Sequence, residues 1–349
     1  MERKQITEWL RTEDETVLEE LWRMADEVRR STVGDEVHLR GLLEISNICA
    51  RNCGYCGLRA GNSALERYRM PEDEIMECVR EAVSYGYGTV VLQAGEDAGI
   101  KKDWVSSLIR GIKSETELAV TLSLGERSSE EYREWKESGA DRYLLRFETS
   151  NRELYDSIHP PVSEKRSDRI EILRELKSIG YEAGSGVMIG IPGQTYEDLS
   201  NDILLFRELD LDMIGVGPYI PHHETPLGQN NENLLASKRS QVPNTELMTY
   251  KVIALARLVC PAANIPSTTA LATLNTNSGR ELGLSRGANI VMPNMTPRKY
   301  RSMYEIYPAK ACIDETAADC RACMHRRILS IGRTPGKGRG DSLNRKKVA

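Results

Sequence analysis

Cys49, Cys53 and Cys56 crowd into eight residues, in the run Asn-Ile-Cys-Ala-Arg-Asn-Cys-Gly-Tyr-Cys-Gly-Leu. Three thiolates on one short loop can hold three irons of a 4Fe–4S cube. A cube ordinarily takes four cysteines, so the deficit leaves one iron open to a substrate or cofactor. Three cysteines plus one further ligand also make a common zinc site. Here no histidine stands at ligand spacing, and His38 is eleven residues upstream of Cys49. This ligand arithmetic favours iron–sulfur over zinc. A second group, Cys312, Cys320 and Cys323, lies within twelve residues near the C-terminal end. Cys78 and Cys260 stand alone in helical patterns and read as small buried hydrophobes.

Composition narrows the setting. Eight cysteines in 349 residues are too few for a disulfide scaffold. Lysine and arginine number 47 against 52 aspartates and glutamates, a net charge of −5, which argues against a general nucleic-acid binder. The mean hydropathy is −0.45. There is no apolar run of about 18 residues, so no transmembrane helix is expected. The opening Met-Glu-Arg-Lys-Gln-Ile-Thr-Glu-Trp has no apolar core, so no secretory signal is expected. The expected setting is cytoplasmic.

The elements that must position the cysteines follow from periodicity. The first thirty or so residues read as helix, with Thr12-Glu13-Asp14-Glu15 at capping-box spacing. Strands are expected at 39–45, 89–92, 119–124, 142–147, 186–189, 213–216, 264–268 and 289–292. Helices are expected between them, most clearly at 71–85, 129–138, 169–179, 195–209 and 246–259. Eight β-then-α units predict an α/β fold, a complete (βα)8 barrel of the TIM type over 34–295. A doubly wound open sheet is the alternative. An N-terminal helical segment (1–33), an extension with the second cysteine group (296–332) and a basic, glycine-rich, solvated tail (333–349) flank it. In such a barrel the Cys49–Cys56 loop, directly after the first strand, sits at the catalytic C-terminal face.

Other residues gather at the same face. Arg142 and Arg146 are an even number apart, so on one strand they point to the same side. Two arginines facing a barrel interior are costly unless they meet anions. That suits a small anionic substrate; an internal ion-pair network with Glu148 and Glu44 is the competing reading. Thr121 and Ser123 share a face of the third strand. Thr268 and Thr269 end the seventh, where hydroxyls orient a ligand or cap backbone. His222-His223 follows the sixth strand and reads as a loop pair without function.

The spacing Cys-x3-Cys-x2-Cys, with Tyr55 before the last cysteine, is the signature of the radical S-adenosylmethionine (radical SAM) superfamily, and the chain resembles that superfamily further along. Val91-Leu92-Gln93-Ala94-Gly95-Glu96-Asp97 resembles its Gly-Gly-Glu segment, which receives the methionyl amine. Thr121-Leu122-Ser123-Leu124-Gly125 ends strand three, and Arg142-Tyr143-Leu144-Leu145-Arg146-Phe147-Glu148-Thr149 ends strand four. With the later segments Gly190–Thr195, Gly217–His222, Ile265–Ala270 and Gly287–Asn294, the chain is similar to the HydE family of FeFe-hydrogenase maturases, over roughly 33–332. Biotin synthase and methylornithine synthase resemble it less.

The resemblance implies a 4Fe–4S cluster on Cys49, Cys53 and Cys56 whose open iron binds the amino and carboxylate groups of SAM. Reductive cleavage then gives a 5′-deoxyadenosyl radical. It implies a cofactor pocket including Gln93, Glu96 and Ser123. Glu148 meets the methionyl ammonium or the ribose, and Arg169 the methionyl carboxylate. A surface ion pair of Arg169 with Glu171 or Glu175 competes with that role. Backbone around Tyr55 and Tyr219 holds adenine. Cys312, Cys320 and Cys323 hold an auxiliary cluster (2Fe–2S or 4Fe–4S) or remain free thiols. The substrate is expected between Arg142 and Arg146 on one wall and Thr121, Thr268, Thr269 and Tyr304 or Tyr307 on the other. Phe147 stands where the resemblance implies a histidine, which favours an organic amino- or thio-acid in a HydE-like paralogue. An iron–sulfur carrier protein is a third reading. The expected partners are a flavodoxin or ferredoxin and other hydrogenase maturases, around a monomer, with no nucleic acid and no membrane.

Overall fold

The computed structural model describes residues 1–162, 166–229 and 240–344. Its strands in chain order are β1 (Glu36–Ser46), β2 (Thr89–Ala94), β3 (Ala119–Ser123), β4 (Arg142–Leu144), β5 (Glu182–Ser185), β6 (Met188–Ile189), β7 (Met213–Ile214), β8 (Gly217–Pro218), β9 (Ile290–Val291) and β10 (Thr334–Pro335). The main sheet runs β10-β1-β2-β3-β4-β5-β7, with β9 also on β1, and all its pairings are parallel. β6 and β8 form a separate parallel pair. Helices cover the outside of the curled sheet, so both faces of the strands are buried. The near-continuous apolar runs of β2 and β3 reflect that.

The expected strands at 142–147, 186–189 and 264–268 differ from those observed. β4 stops at Leu144, and the chain then turns until Glu148 adopts a left-handed φ of 63°. The fifth sheet strand starts earlier, at Glu182. It breaks where a side chain at Gly186 would run into the Gly215 carbonyl. Residues 264–266 give only single bridges, Met213 to Asn264 and Pro266 to Ile290. Pro266 has no N–H to donate, and side chains reinforce the backbone hydrogen bonds that flank it: Asn289 donates to Asn264 Oδ1 at 2.9 Å while Arg257 donates to Asn289.

The N-terminal segment is two helices, Arg3–Arg11 and Glu15–Val33. Asp14, not Thr12, caps the second by accepting from the N–H groups of Thr16 and Val17. The buried Lys251 ammonium closes the first by donating to the Leu10 and Thr12 carbonyls.

The tail expected to be solvated is built into the fold as far as Asn344; Arg345, Lys346 and Lys347 lie outside the described residues. β10 pairs with β1, and the chain then crosses the N-terminal end of the sheet. Gly338 passes so close that a side chain at Gly88 would overlap its carbonyl, and Gly338 and Gly340 both take positive φ. The glycines serve that close passage. Charge holds the strap down. The Arg142 guanidinium, fully buried, donates to Glu182 at 2.7 Å and to Asp341 at 2.5 Å, and Arg339 pairs with Asp141. Removing one partner of a buried pair costs about 3–5 kcal/mol. Deleting residues 336–349 should therefore lower the thermal unfolding midpoint by several degrees, and Asp341→Asn by less. A truncated chain that melts with the full-length one would restore the solvated-tail reading.

Candidate active site

The loop carrying Cys49, Cys53 and Cys56 leaves the C-terminal end of β1 and is stapled from beneath. Asn47 accepts from Tyr68 N–H and donates to the carbonyls of Glu66 and Met303. The Arg67 guanidinium donates to four loop carbonyls, those of Asn47, Leu58, Arg59 and Asn62. Gly95 lets the β2 end approach: a side chain there would strike Ile48 O and Cys49 Cβ. All three cysteines face one cavity of about 250 Å³, lined also by Tyr55, Gln93, Glu96, Ser123, Arg146, Glu148, Arg169 and Tyr304. Burial pushes each thiol pKa up, that of Cys53 to about 12. Thiolates there need a cation, and a bound metal deprotonates its thiols outright. Three converging thiols at the edge of a polar cavity fit a cluster with one iron open to a ligand.

Beside the thiols lies a ring of four charges. Arg51, within the cysteine loop, donates to Glu96 at 2.6 Å and pairs with Glu126 at 2.8 Å. Arg169, at the start of the helix Arg169–Ile179, pairs with Glu126 at 2.8 Å and with Glu96 at 3.1 Å. It also donates to the Arg146 carbonyl and to His159 Nε2. Arginine only donates, so Nε2 accepts and the His159 proton sits on Nδ1. Burial, then Arg169, lowers the His159 pKa to about 2, so the ring is neutral. Arg169 is thus buried and paired across the site, not on the surface with Glu171 or Glu175. Glu96, Glu126 and His159 bring their donor atoms within 4.8 Å of one another, as metal ligands would. The two guanidiniums already occupy those atoms, so no metal ion belongs there.

A second cavity of about 190 Å³ continues inward, sharing Gln93, Ser123, Arg146 and Tyr307 with the first. Thr121, Thr268 and Thr269 line it, as do Glu44, Lys310 and Arg40. Among the described residues the Thr121 hydroxyl has no hydrogen-bond partner. Arg146 lies 3.0 Å from Glu148, and Lys310 is ion-paired with Glu44. The Arg40 Nη atoms donate to Met213 Sδ and the Gly340 carbonyl, and its pKa falls to about 9 through burial and then Arg142. Sequence reasoning missed Arg40, Arg51, Glu126 and Lys310. For Arg51, its place inside the cysteine motif was a usable signal.

Some expected residues lie elsewhere. Arg142 does keep the inward phase of Arg146, but Arg146 lies four residues on, past the end of β4, about 13 Å away for extended chain. That puts Arg142 at the opposite end of the sheet, under the strap, and it lines neither cavity. Glu182 and Asp341 neutralise it, where Glu148 and Glu44 were expected. Tyr219 is buried with Leu154, Ile158 and Ile191, and its neighbours Pro218 and Ile220 line the outer cavity instead. Thr268 also caps the helix Thr269–Leu274, through Leu271 N–H. Phe147, one residue out of phase with Arg146, points away from both cavities onto Phe206, ring centroids 5.8 Å apart. His222 is buried against Glu305 at 3.1 Å and His223 is exposed. Cys320 and Cys323 lie one turn apart on the helix Ala317–Ser330, with Cys312 facing Cys320. Arg280 donates to Cys312 Sγ and Arg327 to Cys323 Sγ.

Residues 43–206 match the sequence profile of the Radical SAM superfamily. The chain is 45% identical over 338 residues to the FeFe hydrogenase maturase subunit HydE of Thermotoga maritima, covering 97% of this chain and 93% of that one. It is 28% identical to 3-methylornithine synthase of Methanosarcina acetivorans, over 81% of this chain and 76% of the relative. Among solved structures, methylornithine synthase superposes with a TM-score of 0.81 at 25% identity, covering 96% and 94% of the two chains. The maturase HydG superposes with 0.75 at 20% identity, covering 94% and 70%, a likeness of fold.

Behind Glu148, a buried carboxylate fixes the segment that carries it. Asp202 accepts from Ser150 N–H and Ser150 Oγ, both at 2.6 Å, and from Gln194. Among the described residues no cation pairs with it, and burial raises its pKa to about 7. The native state therefore holds a proton that the unfolded chain, with a carboxyl near pKa ~3.9, loses in the window from about pH 4 to 7. Stability from this group declines as pH rises through that window and levels off above it. Denaturant unfolding at pH 5 and pH 8 should show a loss on the order of 3 kcal/mol that Asp202→Asn reduces. An unchanged pH slope in the variant would contradict the raised pKa.

Proposed function

This chain belongs to the radical SAM superfamily and, within it, to the HydE family of FeFe-hydrogenase maturases, and from that premise we propose how its own residues serve assembly of the hydrogenase metal centre. The observation that carries the reading is the convergence of Cys49, Cys53 and Cys56 on one cavity with Arg169 and Glu96. When bound, a 4Fe–4S cluster on these cysteines supplies the electron that splits SAM into methionine and a 5′-deoxyadenosyl radical. Arg169 orients the methionyl carboxylate, since a guanidinium offers a charge-assisted pair. Glu96 accepts from an N–H of the methionyl amine, Glu148 meets the ribose, and Tyr55 with Pro218 and Ile220 flanks adenine. Gln93 and Ser123 line the passage between the two cavities.

The substrate occupies the inner cavity. Arg146, Lys310 and Arg40 outnumber Glu44 and Glu148 there, and an excess of buried cations favours an anion. Tyr307, from the extension, lines it, and Tyr304 lines the outer cavity beside it; together they keep water from the radical. We read the single bridges at Asn264 and Pro266 as completing a (βα)8 barrel around this cavity over 34–295, between the N-terminal helices and the extension 296–332. The substrate is a small cysteine-bound iron carbonyl cyanide unit, supplied and received by other maturases. A flavodoxin or ferredoxin supplies the electron, in the cytoplasm, to a monomer. Phe147 no longer argues for a paralogue, because its ring faces Phe206 and not the substrate. Cys312, Cys320 and Cys323 hold an auxiliary iron–sulfur cluster, with Arg280 and Arg327 stabilising the thiolates and water or an external ligand completing it.

Anaerobically reconstituted protein should form 5′-deoxyadenosine from SAM under reduction. Replacing Cys49, Cys53 and Cys56 with alanine should abolish this; product from that variant would refute the ligand assignment. With the partner maturases and an apo-hydrogenase, the chain should support hydrogenase activation. Cleavage without activation would point to a different substrate. Iron counting on Cys312→Ala/Cys320→Ala/Cys323→Ala should show two to four irons fewer than wild type, the content of the auxiliary cluster. An unchanged count means free thiols.

A further inference from the structure

Within the ring of four charges the two carboxylates are not equivalent. Glu96 lines the outer cavity with Arg51 and Arg169, whereas Glu126 does not reach it. Glu126 stands behind both arginines. Its Oε1 accepts from Arg169 Nε at 2.8 Å and from Ser167 Oγ at 2.6 Å, while Oε2 lies 2.8 Å from Arg51 Nη2. Ser167 is itself tied to the Tyr155 hydroxyl at 3.0 Å. The Glu126 pKa is lowered: burial raises it, and Arg169, Ser167 and Arg51 together outweigh that. Glu126 is therefore a permanent anion with every contact on the far side of the guanidiniums.

Glu96 makes the longest of the four ion pairs in the ring, 3.1 Å to Arg169 Nη2, and keeps a 2.6 Å hydrogen bond from Arg51. Arg169 Nη2 divides its two hydrogens between His159 Nε2 at 2.7 Å and the cavity-lining Glu96 at 3.1 Å, and Nε faces Glu126. Gly125, φ +75°, makes this possible: a side chain there would overlap the Glu96 Cγ, so residue 125 must be small for the ends of β2 and β3 to lie together.

We infer that Glu126 is a positioning residue that holds Arg169 edge-on to the cavity, so that an incoming amino-acid carboxylate replaces Glu96 on Nη2. This rests on the reading that SAM binds in the outer cavity. On binding, Glu96 stays on Arg51 and its freed oxygen accepts from an N–H of the methionyl amine. The amino-acid end of SAM thus puts one carboxylate in place of another on Arg169, and each arginine keeps a carboxylate partner. No covalent bond changes in this exchange. Without Glu126, Arg169 loses its Nε partner and keeps the Arg146 carbonyl and His159 on its Nη atoms, and among the described residues Glu96 is the carboxylate left to hold both arginines. It then competes more strongly with the methionyl carboxylate.

The test uses Glu126→Gln and Glu126→Asp in the reconstituted holoenzyme. A charge-assisted hydrogen bond of this kind predicts a KM for SAM raised about 10- to 100-fold in Glu126→Gln, with kcat for 5′-deoxyadenosine formation within about twofold. Glu126→Asp, which keeps the charge on a shorter stem, should recover part of the affinity. Two readouts that need no turnover accompany these. Calorimetric binding of S-adenosylhomocysteine should weaken by the same factor, and the iron content of Glu126→Gln should stay at the wild-type value, the variant remaining folded at the assay temperature although loss of a buried charge lowers its unfolding midpoint. Unchanged affinity for SAM and S-adenosylhomocysteine in a folded, iron-replete Glu126→Gln overturns the inference. So does a loss confined to kcat, or one that tracks lost iron in both variants. If wild-type protein neither binds S-adenosylhomocysteine nor cleaves SAM, it is the underlying reading of the outer cavity that fails.

Discussion

Buried charge must be paired, and here that rule fixes the position of nearly every group that can do chemistry. Arg51, Glu96, Glu126 and Arg169 come from four different parts of the chain: the cysteine loop, the end of β2, the end of β3 and the start of the helix Arg169–Ile179. None could be buried there alone. Paired in a ring, they lock four loops together at the rim where the thiols sit, and they leave a guanidinium edge facing the cavity. The cysteine loop needs this because a loop of three cysteines has little core of its own. Arg67 and Asn47 satisfy its carbonyls from below, and Arg51 anchors it from within.

The same rule works at the other end of the sheet. Arg142 is fully buried there, and Glu182 alone leaves much of its fork unsatisfied. The C-terminal strap brings Asp341 and the Arg339 carbonyl to it, and Arg339 itself neutralises Asp141. The Gly340 carbonyl also receives Arg40, whose guanidinium forms the floor of the inner cavity. The strap is thus part of the cavity wall at one remove. Tyr304 and Tyr307 of the extension line the outer cavity, and Tyr307 also lines the inner one.

Much of this was legible in the sequence. The cysteine spacing picked out three thiols that the fold brings to one cavity, and strand phase put Arg146, Thr121 and Ser123 on the cavity side and would have put Phe147 on the other. What phase cannot give is depth. Arg142 and Arg146 point the same way, yet one serves the floor and the other the cavity, and only the register Arg142 to Thr121 and Glu182 decides which. The tail misled for a related reason. Glycine and arginine usually mark solvated chain, but four glycines in nine residues also let a backbone lie flat on a sheet end that carries unpaired charge. Strand ends at Leu144 and around Pro266 were set by tertiary contacts, a left-handed Glu148 and an asparagine pair, which no local pattern announces.

The central claim is that three thiolates of one loop leave an iron open beside Arg169 and Glu96, so that the amino-acid end of SAM is held there. Electron–nuclear double resonance on the reduced cluster tests it directly, with SAM labelled by 15N at the methionyl amine and 17O at the carboxylate. The account predicts hyperfine couplings from both labels, of the size that direct bonding to a cluster iron produces. Reduced clusters that show neither coupling at saturating SAM would contradict it.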